Sequence, residues 1–283
     1  MNALLLIAII LGVTMQDVTK KIYNKKSPAP GVYFFVSLSA LAAAIFFVCS
    51  SGSLNFNLPI LPYSIAFAAA YIAGVVGSVV AISCGPLSLT SLIVSFSLML
   101  PALYGLIFLK DPISVGFFPG IALLAASLVL INIQGEKGAK INVKWVISVI
   151  FAFLGNGFCT IFQKMQQVRF DGGFKNEFMI IALIITAIAT FAMALIKERK
   201  DIKKQTPVCY ALGIACGAMN GIVNLLVMIL SALMPVSLMF PIISAGGIVA
   251  IFIISTVIYK EKLSKLQLIG FILGTASVVL LNF

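Results

Sequence analysis

Histidine is absent from this chain of 283 residues. Without imidazole there is no Ser-His dyad, no HExxH zinc site and no imidazole proton relay. Charge is also scarce, at 10% of residues against about a quarter in ordinary soluble proteins. No pair of aspartates lies inside an apolar run, as an intramembrane aspartyl protease would need, and no phosphate-cradling glycine loop marks ATP as a direct energy source. The five cysteines, Cys49, Cys84, Cys159, Cys209 and Cys216, lack metal-ligand spacing. They read as small apolar fillers rather than disulfides. No enzymatic activity, cofactor or metal is expected.

What the chain has in excess is apolar length. Hydrophobic residues make up 61% of it and the mean hydropathy is +1.17, which identifies an integral membrane protein. Crossing the hydrocarbon core by helix takes roughly 20 mostly apolar residues. Ten such stretches are predicted: 2–18, 30–49, 61–83, 86–109, 113–132, 145–162, 178–196, 207–231, 235–259 and 266–282. They show no period-2 alternation and are about twice the length of a barrel strand, so the expected fold is all-α. The first stretch lacks a basic leading segment and a small-residue cleavage pattern, so it is expected to stay as a helix. Connections are short, and the polar stretch 134–142 is the natural boundary between halves.

The two halves repeat each other. A shift of 150 positions lays Lys110 on Lys260, Asp111 on Glu261, Ser114 on Ser264, Gly120 on Gly270, Ser127 on Ser277 and Asn132 on Asn282. Upstream, Pro86, Ser88 and Leu89 meet Pro235, Ser237 and Leu238, and Tyr63, Ala66, Ala70 and Gly74 meet Tyr210, Gly213, Gly217 and Gly221. Gly12 and Lys21 meet Gly155 and Lys164. The expected domains are two five-helix repeats, 1–133 and 143–283. Because five is odd, the second repeat enters the membrane from the opposite side, and the pair is inverted. Inverted repeats place a binding site near the midplane and expose it to each side in turn by rocking.

The formal net charge of +11 would suggest nucleic acid in a soluble protein, but here it serves topology, and no nucleic acid partner is expected. Lys20, Lys21, Lys25, Lys26, Lys137, Lys140, Lys144, Lys197, Arg199, Lys200, Lys203, Lys204, Lys260, Lys262 and Lys265 fall on one face. Lys110, Lys164, Arg169 and Lys175 fall on the other. The positive-inside rule then puts both termini on the non-cytoplasmic side of the plasma membrane. The run from Lys197 to Lys204 also suits anionic lipid headgroups, although topology is the blander reading.

These residues resemble the drug/metabolite transporter superfamily, as two EamA-like five-helix units. The signature is a lysine-acid turn followed by a glycine and a terminal helix, in LKDPISVGFFPGIALLAASLVLIN and again in YKEKLSKLQLIGFILGTASVVLLN. The resemblance covers essentially the whole chain. It implies a central cavity between the halves through which relatives move amino acids, other metabolites, drugs or nucleotide sugars. Two features depart from the pattern: 50–62 carries no charge where many relatives have a basic loop, and the first helix has only Asp17 where small multidrug relatives carry an embedded glutamate.

Polar side chains inside spans are costly unless they meet a partner or a watery cavity. Asn220 and Asn224 lie one turn apart, beside the ridge Gly213, Gly217 and Gly221. Asn156 is flanked by Gly155 and Gly157, and Gln163 ends that span. The predicted substrate-binding residues are Asn156, Asn220, Asn224, Tyr71 and Gln16, with Ser95 and Ser244 behind them. Interhelical packing is the competing role for each. Asp17 is a coupling candidate, with an ion pair to Lys20 or Lys21 as the simpler reading. Pro101 and Pro241 are hinge candidates because each removes a backbone donor. The expected function is movement of a small, neutral or zwitterionic organic solute by alternating access, with membrane lipids as the other partner and a homodimer compatible with the sequence. A lipid or amphiphile translocase and a non-transporting scaffold or sensor are the alternatives.

Overall fold

Apolar runs of this length have few ways to satisfy their backbone in lipid, and helix is the one every described segment takes. The computed structural model describes residues 2–29, 31–84, 90, 93–94, 96–113, 115–132, 142–257 and 264–281. Its main helices are α1 (Asn2–Lys26), α2 (Val32–Cys49), α3 (Leu61–Cys84), α4 (Met99–Phe108), α5 (Phe117–Asn132), α6 (Val143–Arg169), α7 (Lys175–Lys197), α8 (Pro207–Leu233), α9 (Val236–Val257) and α10 (Lys265–Leu281). Single turns precede α3 and α4, and one more lies at Arg199–Ile202. Among the described residues there is no strand. Among the described residues, six helices, α1, α2, α3, α6, α7 and α8, are long and apolar enough to cross a bilayer, and the described apolar parts of the others are shorter. The chain is an all-α integral membrane protein.

Helix ends run furthest past the predicted spans in two places. Helix α1 continues through Lys26 and α6 through Arg169. Lys20, Lys21, Lys25 and Lys26 therefore belong to α1, and Gln163, Lys164, Gln166, Gln167 and Arg169 to α6, rather than to loops. Lysine, glutamine and arginine are good helix formers, and after Gly157 no glycine or proline follows until Gly172. There the chain turns through the left-handed region at Asp171, Gly172 and Phe174 (φ 48°, 76° and 56°). The buried Gln166 braces this turn through Nε2 to the Gly173 carbonyl at 2.8 Å.

The described chain forms two compact units. The first comprises Met1–Ile10, Ala73–Ile161 and Leu233–Phe283, and the second Leu11–Ile72 and Phe162–Ala232. Each draws on both halves of the sequence. In the first unit α5 and α10 run antiparallel and exchange matching bonds. Ser127 Oγ donates to the Gly270 carbonyl at 2.6 Å, and Ser277 Oγ donates to the Gly120 carbonyl at 2.8 Å. Both serines are fully buried. The parts of α3 and α6 that belong to this unit approach closely at Gly77, where a β-carbon would sit 2.6 Å from Ala152 N and 2.7 Å from the Ser148 carbonyl. Trp145 packs with Ala81 and Val149, and its indole N–H donates to Thr90 Oγ1 at 2.9 Å.

Lys110 adopts φ 54° at the end of α4, which turns the chain back so that the Asp111 carboxylate accepts from Ser237 N at 3.0 Å. Asp111 thus satisfies an orphan donor at the start of α9. Pro101 falls in the first turn of α4, where a missing N–H costs little; Pro241 is interior to α9 and deprives the Ser237 carbonyl of its helical donor.

In the second unit α2 and α7 also run antiparallel, joined near both ends by carboxylates. Glu198 accepts from Tyr33 N at 3.0 Å and Phe34 N at 2.9 Å, capping the start of α2. The buried Glu177 accepts from Asn55 N at 2.9 Å. The glycine ridge of α8 lies on α2: Gly213 meets Leu38, Gly217 meets the Ser39 backbone and Ala42, and Gly221 meets Phe46. Ser39 Oγ donates to the Gly213 carbonyl at 3.1 Å across this contact. Tyr23, Phe35, Cys209 and Cys216 form the adjoining core.

Candidate functional site

Close approach of α1 to α8 is set by Gly12, whose absent side chain leaves room for Val223. One turn further along α1, Gln16 comes opposite Asn220, and Asn220 Nδ2 donates to Gln16 Oε1 at 3.1 Å. Asn224, one turn on from Asn220, donates from Nδ2 to Asn220 Oδ1 at 3.0 Å and to the Asn220 carbonyl at 2.8 Å. From α6, Gln163 Nε2 donates to Asn224 Oδ1 at 2.6 Å and contacts Met179 Sδ at 3.8 Å. Four side-chain amides from three helices thus form one continuous chain within the second unit. Gln16 and Gln163 are buried and the two asparagines are half-buried.

An amide offers two donors and one acceptor with two lone pairs, so such a chain has directional polarity and spare capacity for a polar solute. It carries no formal charge. Flanking it, the Lys164 ammonium donates to the Ser231 carbonyl near the end of α8. On α1, Lys20 Nζ donates to Asp17 Oδ1 at 3.1 Å.

The structure joins three predicted site residues, Gln16, Asn220 and Asn224. Tyr71 is in the same unit on α3, half-buried, with its ring stacked on Phe67 at 6.0 Å between centroids. Asn156 and Ser244 belong to the first unit. Asn156 is half-buried on α6, where its Oδ1 and backbone N lie against Gly74 of α3. Ser244 is half-buried on α9. Ser95 falls outside the described residues. Gln163 was visible in the sequence as the end of a span but not as a partner of Asn224, 61 positions away. Gln166 and Gln167, both buried on α6, lay beyond the predicted span; the unbroken helical composition up to Arg169 was the signal that would have included them.

Long apolar helices with amides embedded between them define an all-α membrane protein with a polar interior. The comparisons give the family. Residues 143–283 match the EamA-like transporter family, and through this domain the chain belongs to that family, within the drug/metabolite transporter superfamily. A solved structure described as "Crystal structure of protein" superimposes with a TM-score of 0.78 at 12% identity, covering 99% of this chain and 95% of that one. This is a likeness of fold. No curated protein sequence matches the chain.

Proposed function

We propose that this protein is a secondary transporter or facilitator that moves a small, neutral or zwitterionic organic solute across the plasma membrane by alternating access. The observation that carries the reading is the amide chain Gln16–Asn220–Asn224–Gln163, held in apolar helices of an EamA-like transporter. Neutral amides bind such a solute through hydrogen bonds without leaving a net charge stranded in the bilayer. Tyr71, on α3 in the same unit, joins the proposed site; Asn156, Ser95 and Ser244 are proposed as further substrate-binding residues, and Pro101 and Pro241 as hinges.

The proposed architecture is ten spans in two inverted repeats, 1–133 and 143–283, with both termini non-cytoplasmic. Antiparallel pairing of α2 with α7 and of α5 with α10 supports inversion, since each pair joins corresponding helices of the two repeats. The serine bonds of α5 and α10 support it further: donors and acceptors alike are related by the 150-position shift of the sequence repeat.

A thermal-shift screen of detergent-purified protein against amino acids, nucleosides, sugars, phosphorylated metabolites and cationic drugs tests the function. A ligand that binds only the folded state raises the melting midpoint. The reading expects a class-specific shift that disappears in the double variant Asn220→Ala, Asn224→Ala. No shift with any class, in protein that stays folded, favours a scaffold whose amides serve packing alone.

A further inference from the structure

One end of the second unit gathers positive charge onto a segment that is tied down. Lys25 and Lys26 close α1. Lys197, Arg199, Lys200, Lys203 and Lys204 run from the end of α7, through the single turn Arg199–Ile202, toward α8. All of these basic residues are exposed, and among the described residues none of them pairs with a carboxylate. Of the two acids in the stretch, Glu198 is engaged with the backbone of Tyr33 and Phe34, which leaves Asp201. Gln205 anchors the segment to the end of α1: its Oε1 accepts from Tyr23 Oη at 3.3 Å and Ser27 Oγ at 3.1 Å, and its Nε2 donates to the Ala29 carbonyl at 2.7 Å. Lys197 Nζ lies 5.4 Å from the centroid of the Tyr33 ring. Charge that serves insertion topology alone needs no such anchoring. Apolar surface borders the basic segment in both directions along the chain, with Leu195 and Ile196 before it, 47% and 82% exposed, and Val208 and Tyr210 after it, 46% and 40% exposed. At the other end of α7 the charges are balanced, Arg169 and Lys175 against Asp171 and Glu177.

We propose that this end of the second unit is a docking surface for an anionic phospholipid. The headgroup phosphate is held by the basic residues of the anchored segment and of the end of α1, and the acyl chains lie along the apolar side chains that flank the segment. Cations clustered at the end of spanning helices attract anionic headgroups, and the fixed backbone spares the protein part of the ordering cost of binding. A zwitterionic headgroup brings its own ammonium beside the phosphate, so it gains less from the same cations. A free headgroup lacks the chains that the apolar flanks accommodate. The site is separate from the amide chain and does not depend on the transport reading.

The test is thermal-shift titration of the purified full chain in dodecyl maltoside with dioleoyl phosphatidylglycerol, and in parallel with dioleoyl phosphatidylcholine and with glycerophosphoglycerol, the free headgroup. The anionic lipid is expected to raise the melting midpoint at concentrations at least about tenfold below those of the other two, and added salt to weaken its effect. Lys200→Gln with Lys203→Gln is expected to weaken that binding by about tenfold. Arg169→Gln with Lys175→Gln removes the same number of positive charges from the other end of α7 and is expected to leave it unchanged. Insertion topology plays no part in detergent, so a patch that serves topology alone predicts no difference between the lipids. The ranking of the three ligands is read on the wild type, so it stands even if a substitution impairs folding. Equal shifts with the two lipids, a free headgroup as effective as the lipid, or equal losses in the two double variants would each overturn the inference.

Discussion

The two units of this protein are held together by different chemistry. In the first, the described contacts are mostly close approaches of small residues and hydroxyls returning to backbone: Gly77 on Ala152 and Ser148, Ser127 on Gly270, Ser277 on Gly120. Asp111 is its one carboxylate in a described bond. The second unit has the same devices, at Gly217 and Ser39, but adds carboxylates at both ends of the α2–α7 pair and an amide chain across α1, α6 and α8. Hydroxyls that bond a nearby carbonyl use up their polarity locally. Amides bonded to one another retain capacity, and that costs something in lipid. Among the described residues, the side-chain amides that bond one another across helices lie in the second unit.

If close packing is common to both units, filling a glycine contact in either will do the most damage. Gly77→Leu and Gly217→Leu each place carbon against backbone, with an expected loss of about 3 kcal/mol. Detergent size-exclusion profiles and melting midpoints should fall together for both. If only one variant suffers, the common part of the comparison breaks.

The amide chain should behave differently. Asn220→Ala with Asn224→Ala is expected to lower solute flux in proteoliposomes at least tenfold. Stability should change little, because interhelical side-chain bonds in membranes average about 0.6 kcal/mol each. Lost stability with flux intact would make the amides packing elements like the serines.

Glu198→Gln keeps the shape of the α2 cap and removes its charge. The expected cost is about 0.5–1 kcal/mol, from the lost interaction with the start of the helix. Measured by melting midpoint, it should be insensitive to added solute.

Smallest are Ser127→Ala and Ser277→Ala, at about 0.6 kcal/mol each. Their equality matters more than their size. Donors related by the sequence repeat should lose the same stability, and a clear difference between them would weaken the inverted-repeat account.

How much of this was legible in the sequence depended on distance along the chain. The ridge Gly213, Gly217 and Gly221 was readable because residues four apart share a helix face, and the structure lays it against α2. The Asn220 and Asn224 pair was readable for the same reason. Their partners were not, since Gln16 is 204 positions from Asn220 and only tertiary packing brings α1 to α8. The lysine-acid turn was visible at Lys110 and Asp111, but its acceptor role toward Ser237, 126 positions on, was not. Span ends were misjudged where polar residues begin, at Thr19 and at Gln163, because a hydropathy reading stops there while the backbone continues as helix.

The most direct test of the central claim, that the amide chain lines a site open to each side in turn, is labelling of Asn224→Cys in a cysteine-free background. Membrane-impermeant thiol reagents would be applied separately to the outside and the lumen of proteoliposomes of defined orientation. The account predicts labelling from both sides. Labelling from neither side, or from one side only, in folded protein would contradict it.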